Sequence, residues 1–190
     1  YQLKCYKLPE SAPQSLGKPM INLLPIDQDE KIHTVMPMPE NEETWQNLQI
    51  IFATKNGNIR RNQLSDFTNI RQNGKIAMKL NENDELVSVI PCTDKDNVLL
   101  ATRLGKAIRF DVNDVRVFVG RGSSGVRGIK LKPNDYVVSM SLIPNLEKRY
   151  ILSVTENGFG KRTPIEDYRM TNRGGQGVAN IECSTRNGPV

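Results

Sequence analysis

Arginine and lysine are the side chains whose type and spacing could do chemistry in this sequence, because they recur in step. Lys55, Arg60 and Arg61 flank Gly57, Arg103, Lys106 and Arg109 flank Gly105, and Lys161 and Arg162 follow Gly158. At each place a threonine stands three residues before the glycine (Thr54, Thr102, Thr155) and an arginine four residues after it (Arg61, Arg109, Arg162). The period is roughly 50 residues, the range in which repeats build arrays. A guanidinium offers a rigid fork of donors and an ammonium a point charge, and neither is neutralised near pH 7. The chemistry they suit is capture of anionic groups.

Other chemistries find little support. The single histidine, His33, lies in a strand-like run with no cysteine or carboxylate cluster at metal-ligand spacing, so packing accounts for it. Cys5, Cys92 and Cys183 lie far apart and form no C-x-x-C pair, which leads us to expect buried free thiols in a reducing cytosol. Trp45 follows the acidic stretch Glu40-Asn41-Glu42-Glu43-Thr44 and reads as a packing residue at a blade edge. No motif marks a nucleophile with its base. We expect no catalytic residue, no metal and no cofactor in this chain.

A glycine-rich loop, Gly120-Arg121-Gly122-Ser123-Ser124-Gly125, matches G-x-G-x-x-G literally. Dinucleotide binding requires a helix to follow, and Val126-Arg127-Gly128-Ile129 is not a helix start. The same slot holds Asn69 to Gly74 and Asn172 to Gly177 in the other units. The loop is therefore a repeat feature whose glycines supply positive φ. Arg121, Arg127 and Arg173 are candidates to reach phosphates from these loops, together with exposed backbone amides.

The elements that must carry these residues are short strands. Val98 to Thr102 meets a turn at Leu104-Gly105 and returns through Ala107 to Phe110. A polar turn at Asn113-Asp114, a run Val115 to Val119, the glycine-rich loop and a last run to Leu131 follow. Copies of the first run lie at Ile50 to Thr54 and Tyr150 to Thr155. Gly17, Gly74, Gly125 and Gly177 each precede an apolar residue by four positions (Ile21, Met78, Ile129, Ile181) and another by six (Leu23, Leu80, Leu131, Cys183). A further strand is expected at Lys31 to Val35, Glu85 to Val89 and Tyr136 to Met140, and Tyr1 to Cys5 also reads as a strand.

The expectation is an all-β, propeller-like domain of repeated four-stranded blades. Its units are approximately 1–49 (partial), 50–97, 98–149 and 150–190. Both ends fall within a repeat, which suggests a piece of a longer protein. No apolar run approaches the roughly 18 residues that span a bilayer, and the first residues do not read as a signal peptide. Net charge is +5 overall, divided as −3 over residues 1–49 and +8 over 50–190. Such an excess is often only a solvated surface. Placed at one slot of successive blades, it becomes a curved basic belt, and a bent polyanion such as duplex DNA fits a curve.

Phe52-Ala53-Thr54-Lys55-Asn56-Gly57, Gly125-Val126-Arg127-Gly128-Ile129, Asn157-Gly158-Phe159-Gly160-Lys161-Arg162-Thr163, Tyr6-Lys7-Leu8-Pro9-Glu10 and Pro19-Met20-Ile21-Asn22-Leu23-Leu24-Pro25 together resemble the C-terminal domain of the bacterial DNA gyrase A protein, of the type IIA DNA topoisomerase family. The resemblance runs over the whole chain. It implies a six-bladed β-pinwheel, of which this chain holds a partial set, with blades that exchange strands. It also implies wrapping of duplex DNA with a positive hand, so that the holoenzyme introduces negative supercoils at the expense of ATP. The implied partners are the remainder of the gyrase A protein and the gyrase B protein, in the bacterial cytoplasm and at the nucleoid. The catalytic tyrosine and ATP site of that family lie in other domains or other polypeptides of the enzyme, and no residue here matches them.

The family's signature loop, Q-R-R-G-G-x-G, belongs to the first blade. Here only Thr171-Asn172-Arg173-Gly174-Gly175-Gln176-Gly177 approaches it, as a degenerate copy, and the true box is expected upstream of Tyr1. Without it the chain is expected to bind DNA yet not hold a full wrap. The equivalent domain of topoisomerase IV and a protein-interaction propeller are the alternatives. For the fold, far-UV circular dichroism should show less than about a quarter helix, below the third held by ordinary domains.

Overall fold

The β-branched runs on either side of each Thr-x-x-Gly turn form hairpins. In the computed structural model, which describes residues 1–27, 30, 32–144 and 149–190, β1 (Gln49–Thr54) and β2 (Asn58–Gln63) make the first, and β3 (Leu86–Cys92) pairs antiparallel with β1. The second unit repeats this with β4 (Asp96–Thr102) and β5 (Lys106–Asp111). Then come two short strands, β6 (Val117–Phe118) and β7 (Val126–Arg127), and the long β8 (Val137–Pro144), which pairs with β4. The third hairpin is β9 (Tyr150–Val154) with β10 (Gly160–Pro164), and β11 (Val178–Ala179) is the last strand described.

Each of the first two blades is completed by the unit that follows it. The first sheet runs β3-β1-β2, and both β6 and β7 then add to β2. β6 lies parallel, with Arg61 opposite Val117, and β7 antiparallel, with Asn58 opposite Arg127. The second sheet runs β8-β4-β5-β11, with a further bridge from Arg109 to Met170. The architecture is thus a strand-exchanging array of blades, nearly all β with short 3-10 turns.

Hydrophobic burial follows from the exchange. One core cluster joins Ile51 and Ile59 of the first blade to Val98, Leu100, Ile108 and Phe110 of the second, sealed by Val112, Val115 and Ile129. A second joins Leu99, Ala107 and Ile143 to Ile165 and Tyr168 of the third unit. β4 is buried on both faces from Asn97 onward, which explains its continuous apolar run in place of alternation. Trp45 packs with Ile50, Phe52, Leu64 and Phe67 and donates its indole N–H to the Pro39 carbonyl at 3.0 Å, a packing role as expected.

Threonine is the turn's anchor. Thr54 Oγ1 donates to Asp84 Oδ2 at 2.7 Å, and Asp84 Oδ1 accepts the amides of Asn56 and Glu85. Thr102 Oγ1 donates to Asp135 Oδ2 at 2.8 Å, and Asp135 Oδ1 accepts those of Leu104 and Tyr136. In the third unit the Thr155 hydroxyl donates instead to the Phe159 carbonyl at 3.3 Å.

Two expectations need correction. Tyr1 to Cys5 forms no strand, and neither do residues 32–35; Lys31 itself lies outside the described residues. The described residues before β1 instead carry 3-10 turns at Cys5–Lys7, Met20–Asn22 and Glu42–Asn47. A strand needs a partner to satisfy its amides and carbonyls. Residues 1–48 contain no Thr-x-x-Gly hairpin to supply one, and His33 and Val35 are exposed. The cysteines are free, but only Cys92 is buried; Cys5 is exposed and Cys183 half-buried. Burial pushes the Cys92 thiol up to about 12. Because the folded value is raised above the unfolded one, its stabilising effect is complete below the unfolded pKa and fades as pH rises towards 12. Native chain treated with iodoacetamide at pH 8 should accordingly label Cys5 and spare Cys92.

The blade junction is tight at its glycines. The Gly105 carbonyl accepts the amides of Asn180 and Ile181, and a Cβ on Gly105 would fall 2.1 Å from the Ile181 carbonyl oxygen. Gly158 has the same left-handed backbone, φ +82° against +74°, but nothing within 4 Å. Gly158→Ala should therefore lose only about 1–2 kcal/mol in urea unfolding, the penalty of the backbone conformation. Gly105→Ala should lose clearly more, and equal losses would show that the junction yields freely.

Candidate nucleic-acid interface

In the first two hairpins the recurrent arginine slot, four residues after the turn glycine, points into the next blade. Arg61 is only 5% exposed. Its Nη1 lies 3.2 Å from Asp94 Oδ1 and donates to Asn113 Oδ1 at 3.1 Å, on the second unit. Arg109 Nη1 donates to the carbonyls of Ile165 at 3.0 Å and Tyr168 at 3.4 Å, on the third. Arg162, the third member, is exposed, with its guanidinium 4.4 Å from the centre of the Tyr150 ring. The expected belt through Arg61, Arg109 and Arg162 is thus corrected: two of its members tie blades together. The slot repeats because the contact between blades repeats.

Arg60 is also corrected, being fully buried. Its Nε donates to Asn62 Oδ1 at 2.8 Å, while Nη1 and Nη2 donate to the carbonyls of Ser123 and Gly120 in the glycine-rich loop. Burial lowers its pKa from the ordinary arginine value; the Asp66 carboxylate opposes that shift, and Arg121 adds to it. No helix follows the loop, only β7, so the dinucleotide reading stays rejected.

The other expected residues divide by exposure. Arg127 and Lys161 are exposed. Lys55, half-buried, pairs with Glu85 at 3.2 Å, and Arg103 with Glu156 at 3.7 Å. Both lie over the Tyr136 ring, at 5.1 and 5.7 Å from its centre, so two successive hairpins flank one aromatic side chain. Lys106 is half-buried. Arg121, also half-buried, donates to the Ile76 carbonyl. Arg173 donates to the carbonyls of Asp114 at 2.8 Å and Arg127 at 3.0 Å, which leaves part of its fork engaged by the fold.

Sequence reasoning missed a second recurrent slot. Arg116 and Arg169 stand eleven residues after Gly105 and Gly158, and both are exposed. Arg116 sits 4.4 Å over the Phe118 ring, which holds it beside β6. The same alignment on the turn glycines would have found the pair. With Arg127, Lys130, Lys161 and Arg162 they are among the solvent-facing cations of the second and third units. Among the described residues there is no cluster of metal-ligating side chains and no helix long and apolar enough to cross a membrane. Cations and amides facing solvent can bind an extended anion.

The family model of the DNA gyrase C-terminal domain, beta-propeller, matches residues 49–93, 96–144 and 149–188. The chain belongs to this family. Each matched segment carries one Thr-x-x-Gly hairpin. The DNA gyrase A protein of Rickettsia bellii (strain RML369-C) is 42% identical, aligned over all of this chain and 26% of the relative. The DNA gyrase A protein of Staphylococcus epidermidis (strain ATCC 12228 / FDA PCI 1200) is 40% identical over all of this chain and 21% of its own length. This gyrase C-terminal domain thus spans about a quarter of those relatives. Among solved structures, the C-terminal domain of DNA topoisomerase IV superposes with a TM-score of 0.84 at 28% identity, covering 97% of this chain and 56% of that one. A DNA gyrase A C-terminal domain superposes at 0.77, also at 28% identity, covering 90% and 56%.

For the gyrase domain's two arginine environments, urea unfolding gives a direct contrast. Arg61→Ala should destabilise by about 1–3 kcal/mol, because it removes the charge-assisted hydrogen bonds of a buried guanidinium to Asp94 and Asn113. Arg162→Ala should leave the midpoint unchanged.

Proposed function

We propose that this gyrase C-terminal domain is a non-catalytic module that binds duplex DNA on the exposed cations of its blades and bends it. In the whole enzyme, with the remainder of the gyrase A protein and with the gyrase B protein, that bending would serve ATP-dependent introduction of negative supercoils in the bacterial cytoplasm. The observation that carries the reading is the recurrence of exposed arginine at one slot of successive units, Arg116 and Arg169, on a part of the chain with net charge +8. No cofactor is assigned to the module, and the chemistry of ATP hydrolysis and strand cleavage is left to the rest of the enzyme.

Binding should tolerate sequence. The described residues hold no recognition helix to enter a groove, and cations without base-reading neighbours contact phosphate. Preference should come from bendability. The equivalent module of topoisomerase IV is a second reading, favoured by the superposition on that enzyme's domain.

Fluorescence anisotropy of a labelled duplex against salt tests the reading. Six phosphate contacts would lower affinity by about a thousandfold between roughly 50 and 200 mM salt. An affinity indifferent to salt would point to a protein partner instead. Arg169→Ala should weaken binding alike on unrelated sequences and reduce the salt slope by about one.

A further inference from the structure

The three hairpins are not equivalent at the position three residues after the turn glycine. It holds Arg60 in the first, Ile108 in the second and Lys161 in the third. In the second blade the loop 172–177 rests on that isoleucine, with a Cβ on Gly175 only 3.6 Å from Ile108 Cδ1. In the first blade the loop 120–125 rests on a buried arginine. A buried guanidinium is costly to desolvate, and an aliphatic side chain suffices at the same place one blade on. What the arginine adds is control of the loop's backbone.

Arg60 grips two carbonyls, those of Gly120 and Ser123. Asn62, itself held by Arg60, donates to the Gly120 carbonyl at 2.8 Å and to that of Phe118 at 3.1 Å. No peptide bond among the described residues is cis. In a planar trans peptide the N–H points opposite to the C=O. Turning the carbonyls of Gly120 and Ser123 inward therefore turns the amides of Arg121 and Ser124 outward. Among the described residues none accepts a hydrogen bond from either amide. The loop around them is open, with Gly120, Gly122 and Ser123 exposed. Arg121 lies within the loop and the exposed Arg127 two residues beyond its end. Outward backbone amides close to cations can receive an anion.

We propose that Arg60 is a positioning residue: from inside the blade it fixes the loop 120–125 so that the amides of Arg121 and Ser124 receive a single phosphate group of a phosphodiester backbone. The site rests on the DNA-binding reading above and adds to it a backbone contact that surface charge alone does not supply. The amides of this loop bind, and Arg60 touches no ligand.

The experiment follows the backbone amide resonances of the isotope-labelled 190-residue chain while a short duplex is added, for the unaltered protein and for Arg60→Ile and Arg60→Lys. Arg60→Ile places in the first blade the side chain that the second blade already uses. In the unaltered protein the Arg121 and Ser124 amides should shift on titration. In Arg60→Ile they should no longer respond, with affinity down about tenfold, the worth of one hydrogen bond to a charged group. Arg60→Lys should lose as much, because an ammonium cannot span both carbonyls and Asn62. Affinity retained in Arg60→Lys would mean that the charge, not the fork, matters, and would overturn the positioning role. DNA binding by the unaltered chain without movement of these two amides would overturn this proposal alone. No binding by the unaltered chain would overturn it together with the DNA-binding reading. Should either variant fail to fold, the response of the two amides in the unaltered chain decides.

Discussion

In each of the first two hairpins the carbonyl of the turn glycine is where the following unit docks. The Gly57 oxygen accepts the amides of Gly128 and Ile129, and the Gly105 oxygen those of Asn180 and Ile181. Each pair of amides comes from the following unit. Neither of these blades can therefore complete its hydrogen bonding or bury its apolar face without its successor. From this follow the strand exchange, the continuous core from Ile51 to Phe110, and the repeated inward arginines. The recurring glycine is needed where its oxygen is approached so closely that a side chain would collide with the incoming backbone.

A junction of that kind also fixes the angle between blades. Hydrogen bonds, a shared core and the Arg61 and Arg109 ties all cross it. Exposed cations on successive blades then stand on a rigid support instead of on independently moving modules. Duplex DNA that follows such a support must bend, at about 1–6 kcal/mol for a 40–90° bend over 20–30 base pairs. On the proposed function, rigidity between blades is the property that would convert scattered phosphate contacts into curvature.

Much of this was legible in the sequence. The Thr-x-x-Gly hairpins, the short strands and the Gly-x-x-x-apolar segments align in register, because turn geometry and close backbone approach restrict residue type sharply. The burial of Arg60 and Arg61, and the inward turn of the half-buried Arg109, were not legible. A repeated arginine reads equally as a repeated surface charge or as a repeated contact between blades, and only the fold decides. Asp84 and Asp135 escape notice because the carboxylate that holds each turn threonine lies about thirty residues downstream, outside any local pattern. The strands expected before residue 48 fail for the opposite reason. Their local pattern is strand-like, but no hairpin in that stretch pairs with them.

Curvature of bound DNA is the quantity on which this account stands. It can be measured by ligase-catalysed closure of a linear duplex of about 150 base pairs, near the persistence length, where unassisted closure is slow. The account predicts that the chain, at concentrations that saturate the duplex, accelerates closure into circles over end-to-end joining. Saturating binding that leaves the closure rate unchanged or lowers it would mean that the DNA lies straight across the blades, and would contradict the account.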